Sequence, residues 1–205
     1  MGATTLNDGT LTITDGEVGA VINQGTSGGA TEVTLTAGDI ASLTNTSGDA
    51  ALNGGTVTGA TTVAAGTVTN AGAAIATATT SGGTYTQSGG SATDLVNDGG
   101  AINLDAGTAT SLTNNATAGT SNVTDGQVTG TTTINGGAVV VDQTTADAAL
   151  ELVGTTTLTD GTLTVTDGEV GTVVNQGTSG GATEVTLTAG DIAALTNTSG
   201  DAALN

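Results

Sequence analysis

The sequence predicts an all-β fold, a parallel β-solenoid (β-helix) of about 19 residues per coil and roughly 11 coils, on three observations. A phrase of the form Gly-x-(Val/Ile/Ala)-x-x-(Val/Leu)-x-Asn recurs in one frame. It reads "GEVGAVIN" from Gly16, "GDIASLTN" from Gly38, "GSATDLVN" from Gly90, "GTATSLTN" from Gly107, "GEVGTVVN" from Gly168 and "GDIAALTN" from Gly190. Between these anchors run short alternating segments such as "TLTIT" 10–14, "EVTLT" 32–36, "GTYTQ" 83–87 and "TLTVT" 162–166, the period of a β-strand with one face inward. Helical striping is absent, and so is Pro, which would delete a ladder hydrogen bond.

A longer repeat encloses the short one. Residues 4–53 and 156–205 differ only at Asn7/Thr159, Ile13/Val165, Ala20/Thr172, Ile22/Val174 and Ser42/Ala194, an offset of 152. The organisation expected is a single solenoid rod over 1–205, with 4–155 one 152-residue repeat and 156–205 the start of a second copy. Weaker anchors begin near Gly55 and Gly126, and the stretches around Gly72 and Asp147 fill the remaining gaps, so that anchors step by 17 to 22 residues. A unit this small cannot bury its apolar side alone and must stack on its neighbours.

Each position of the phrase then has a role. Val18, Val21, Ile40, Leu43, Leu95, Leu112, Val128, Ile134, Val170, Val173, Ile192 and Leu195 are the expected inward residues. Leu95 and Leu112 should meet on successive coils. Gly supplies left-handed backbone at the corners. The recurrent Asn23, Asn45, Asn97, Asn114, Asn175 and Asn197 should stack as a side-chain ladder or tolerate the same left-handed region. Tyr85 is expected half-buried on a strand or at a surface contact, with no chemistry.

Composition narrows function. The chain has 205 residues with Lys+Arg 0, His 0, Cys 0 and a formal charge of −19, against 35 Gly and 49 Thr. Without a cation it cannot neutralise phosphates, so nucleic acid is excluded as a partner. The same lack removes attraction to an anionic membrane surface, and no apolar run is long enough to insert in a bilayer. Absence of Cys fits a surface-exposed bacterial protein held together without disulfides, although a cytosolic protein can lack Cys as well. With no basic n-region at its start, the chain reads as a mature fragment of a longer array.

The Gly-rich stretch 88–100 lacks the Lys and helix of a phosphate loop. Carboxylates gather at anchor turns, Asp15 and Glu17 beside Asp39, and Asp167 and Glu169 beside Asp191. In stacked coils these form like-charged columns, for which Ca2+ is the oxygen-seeking cation expected if one binds; no other cofactor is expected. An enzyme is not expected, since a polysaccharide-active β-helix leans on basic residues that are missing here. Thr-x-Thr tracts, Thr10, Thr12 and Thr14 or Thr162, Thr164 and Thr166, raise the alternative of an ice-binding solenoid.

"SGGSATDLVNDGG", "AGTATSLTNNATAG" and "DGQVTGTTTINGGAVVV" resemble the repeats of self-associating autotransporter adhesins, the AIDA-type passenger domains, over roughly 85–141. The resemblance implies an extracellular β-helical rod on a bacterial cell surface, with homotypic partners and, beyond them, host or abiotic surfaces, as in biofilm. Some members use cationic residues between rods, and this chain has none. The expected function is therefore that of a structural and interaction protein: a segment of an adhesin or self-associating surface fibre acting through polar Thr, Ser and Asn faces, laterally or end to end in a filament.

Overall fold

In a computed structural model the chain is described at residues 2–25, 31–115, 117, 119–145, 149–177 and 183–205. These form a parallel β-solenoid with no helix among the described residues, of about ten turns and about 18 residues per turn. Each full turn joins a short strand, such as Leu11–Ile13 or Thr67–Asn70, to a longer one, such as Glu17–Gln24 or Asp39–Ser47. The pairings between successive turns are parallel, with local slips of register.

The longer strand is bent. In Asp39–Ser47 the buried residues are Ile40, Leu43 and Asn45, a spacing of three and then two. A flat strand alternates strictly, so the step of three requires a corner. The register slips at that place, between Ile40 and Leu43 and again between Val57 and Ala60. The repeating phrase therefore encodes a corner, one inward residue, a second corner and two more inward residues.

One inward column passes through every rung: Leu6, Asn23, Asn45, Val63, Thr80, Asn97, Asn114, Ile134, Leu158, Asn175 and Asn197. Eleven rungs enclose ten turns. The shortest turn has 17 residues, and Ala74–Asn114, 41 residues of uninterrupted ladder pairing, winds through more than two such turns. The mean of 19 read from the anchors arises because some turns are longer, of 22 residues from Asn23 to Asn45 and from Asn175 to Asn197, between strands that still pair in parallel. The turn from Ile134 to Leu158 is longer still. The anchor expected near Gly72 is occupied by Ala73, whose carbonyl receives the N–H of Ser91. Asp147 lies outside the described residues, and Glu151 and Leu152 carry the ladder onward there.

The core is aliphatic and thin. Val21, Ile40, Leu43, Leu95, Leu112, Val128, Ile134, Val170 and Val173 are buried as expected, and Leu95 and Leu112 lie in one cluster on successive rungs. Val18, Ile192 and Leu195 pack against that cluster but stay partly exposed. Val18 begins its column, and the other two belong to the last paired rung, so each lacks a neighbour on one side. Tyr85 departs from expectation: it is fully buried, in the inward column between Val68 and Ile102. Alternation places it inward, and adjacent polar residues accommodate its hydroxyl. That hydroxyl donates to Gln87 Oε1 at 3.0 Å and accepts from Asn70 Nδ2 at 3.3 Å.

The corners need glycine for two reasons, both visible at Gly38. Its φ of +85° suits only glycine, and an added Cβ would lie 2.3 Å from the carbonyl oxygen of Gly16 on the rung before. No non-Gly residue among those described has positive φ, so the Asn residues do not occupy left-handed backbone.

The inward column of Val21, Leu43, Ala78, Leu95, Leu112 and Val173 also contains Thr61, Thr132 and Thr156, whose buried hydroxyls have no hydrogen-bond partner. An unpaired buried hydroxyl costs about 1–3 kcal/mol, and valine keeps the shape without it. Thr61→Val should therefore stabilise the rod by about 1 kcal/mol, seen as a raised denaturant midpoint at unchanged slope. A lowered midpoint would contradict the inward placement. Tyr85→Phe should destabilise by about 1–3 kcal/mol, because it strips Gln87 and Asn70 of a buried partner.

Candidate interaction faces and acidic corners

Outward residues alternate with the core and inherit its register. On the bent strand one outward column reads Thr5, Ile22, Thr44, Thr62, Thr79, Val96, Thr113, Thr133, Thr157, Val174 and Thr196. Every member is β-branched and none is charged. At a rung spacing of about 4.8 Å, ten steps make a strip about 50 Å long. In the column beside it the only carboxylate is Asp94, which accepts a hydrogen bond from Ser111 Oγ at 2.7 Å on the next rung. The face is thus almost free of charge in a chain of 19 acids.

The acids sit mostly at corners. Asp8, Asp15, Asp160 and Asp167 each turn a carboxylate oxygen onto the N–H of the following glycine at 2.7–2.8 Å, closing the turn. Asp125 clamps a neighbouring corner. Its oxygens accept from Thr144 Oγ1 at 2.6 Å, from the N–H of Thr144 and of Thr145 at 2.9 Å, and from Thr145 Oγ1 at 3.1 Å. The Thr144 hydroxyl and then these two amides hold its carboxyl down at about 2.

The six residues considered as calcium ligands form two pairs and not one column. Glu17 stacks on Asp39, and Glu169 on Asp191, each pair on adjacent rungs. Thr56 follows Asp39 in that column and ends the run of charge. Asp167, Glu169 and Asp191 border one open groove, while Asp15 lies outside the groove that holds Glu17 and Asp39. Among the described residues no group of three or more carboxylates is close enough to hold a metal ion.

The asparagine ladder is correct in position and broken in continuity. Asn23, Asn45, Asn97, Asn114 and Asn175 are fully buried, and Asn197 is exposed on the last rung. Asn23 Nδ2 donates to Asn45 Oδ1 and Asn175 Nδ2 to Asn197 Oδ1, both at 2.8 Å. Val63, Thr80, Ile134 and Leu158 occupy the same column and interrupt it. The carboxamides mainly satisfy corner backbone instead: the N–H of Gly25, Gly99 and Gly177 donates to Asn23, Asn97 and Asn175. A second, outward ladder went unread in the sequence, in which Asn135 Nδ2 donates to Asn115 and Asn115 Nδ2 to Asp98, each at 2.9 Å. The shared spacing of Asp98 and Asn115, one residue past each motif Asn, was its signal.

Three buried glutamates were also missed. Glu32, Glu151 and Glu184 are 7 %, 3 % and 7 % exposed, in a chain with no cation to pair them. Period-two alternation puts Glu32 outward beside Val33, but the register slips between Thr31 and Val33, and likewise between Thr183 and Val185. The extra residue turns its side chain inward.

Comparison with protein-family models, with curated proteins and with solved structures finds no match to this chain. The reading of function therefore rests on the geometry described above.

The Asp125 clamp carries a pH dependence whose sign is fixed. A carboxyl depressed from 3.8 to about 2 contributes order above its ordinary value and loses it as pH falls through the lower one. The amides of Thr144 and Thr145 should lose their hydrogen-bonded NMR shifts between about pH 4 and pH 2, and Asp125→Asn should flatten that titration. Unchanged titration in the variant would assign the effect to another acid.

Proposed function

We propose that this chain is a segment of an extracellular bacterial adhesin or self-associating surface fibre, of the kind its repeats resemble. The observation that carries the reading is the charge-free strip from Thr5 to Thr196, long and flat, with carboxylates displaced to the corners. A partner rod laid along it meets methyls and hydroxyls at its centre and charge only at the rim, the distribution of a specific interface. A strip about 50 Å by 10 Å buries roughly 1,000 Å² over both partners, the lower bound for specific association. Each contact is weak, and a long array sums many of them.

The net charge of −19 opposes such pairing at low ionic strength. Salt shortens the range of repulsion to about 8 Å at physiological strength, and a divalent cation can bridge Glu17–Asp39 and Glu169–Asp191 corners of facing rods. Sedimentation of the purified chain should show association that grows with salt and with Ca2+, and that disappears when Thr79, Thr113 and Thr133 are replaced by Asp. Equal association in chelator at low salt would sink the bridging idea, and indifference to the Asp substitutions would sink the strip as the interface.

One observation favours ice binding as a second reading. The strip keeps its rung-to-rung pairing despite unequal turns, and Thr77/Thr79, Thr131/Thr133 and Thr155/Thr157 present paired threonines on it. Thermal hysteresis and ice shaping by the purified chain test it; their absence removes it.

A further inference from the structure

The corner hydrogen bond of this solenoid follows one rule. In ordinary turns the N–H of the residue after the corner donates to the corner carbonyl of the rung before. Thr67 N–H donates to Gly48 O, Thr84 to Gly66 O, Ala138 to Gly119 O and Thr162 to Gly137 O, at 2.9–3.0 Å. Asp49 and Asp201 hold the same position, after Gly48 and Gly200, but the rung before each carries the extra residues of a 22-residue turn. Their N–H groups donate instead to carboxylate oxygens, Asp49 to Glu32 Oε2 and Asp201 to Glu184 Oε2.

We propose that the carboxylates of Glu32 and Glu184 do at their corners what a backbone carbonyl does at the ordinary ones, so that these two corners depend on a side chain and the others do not. The fit is specific. A Cβ at Gly25 would lie 2.7 Å from Glu32 Cγ, and one at Gly48 2.5 Å from its Oε2; Gly177 and Gly200 hold Glu184 in the same way at 3.0 Å and 2.8 Å. The bulge that turns each glutamate inward occurs in both copies of the long repeat. The Glu151 carboxylate likewise accepts from the N–H of Glu169.

A carboxylate accepts a charge-assisted bond, stronger than the neutral bond an amide oxygen makes. Thr67 and Thr84, bonded to backbone carbonyls, depend on no side chain.

Hydrogen exchange of the intact chain tests this. In Glu32→Ala the protection of Asp49 should fall about tenfold while that of Thr67 and Thr84 holds. Glu32→Gln, which keeps a neutral acceptor, should lose less. Wild-type protection of Asp49 in Glu32→Ala, or an equal loss at Thr67, would overturn the assignment.

Discussion

The rest of this structure depends on the hydrogen bond that ties each corner to the corner below it. A solenoid of about 18 residues per turn has a core only a few side chains wide, so no turn is stable without its neighbours. The ladder fixes the register, and the register decides which residues meet. Glycine at the corner follows from it, because the approach of Gly38 to the Gly16 carbonyl leaves no room for a side chain. The tolerance of unequal turns follows as well, since the strands on either side of a longer turn still pair in parallel.

At Asp49 and Asp201 the corner N–H finds a carboxylate, where the ordinary corners offer a backbone carbonyl. The chain has no Lys, Arg or His, so a buried acid has no cationic side chain to pair with. The same economy of partners governs the buried amides. Asn23, Asn97 and Asn175 spend their side-chain oxygens on corner N–H groups, and Asn70, Tyr85 and Gln87 satisfy one another inside the core. Threonine is the exception, with three buried hydroxyls left unpaired where the column asks for shape alone.

Charge and surface are separated by the same geometry. Strand positions facing outward are filled by β-branched residues that suit a pleated sheet, and the acids fall at turns where Asp closes on the next glycine. A polyanion thus presents a nearly neutral flank. That separation gives the proposed lateral contact its centre and rim.

Periodicity alone determined much of this molecule: the parallel solenoid, the inward frame of Ile40, Leu43 and Asn45, the left-handed corners and the meeting of Leu95 with Leu112. Those features repeat, and a repeat announces its own register. Tertiary structure decided what breaks the repeat. The inward turn of Glu32 depends on a one-residue slip that alternation cannot reveal. The burial of Tyr85 depends on Asn70 and Gln87, its partners on the neighbouring strand and on its own. Each is set by contacts between rungs, and contacts across some 17 to 24 residues leave no mark in any short window of the chain.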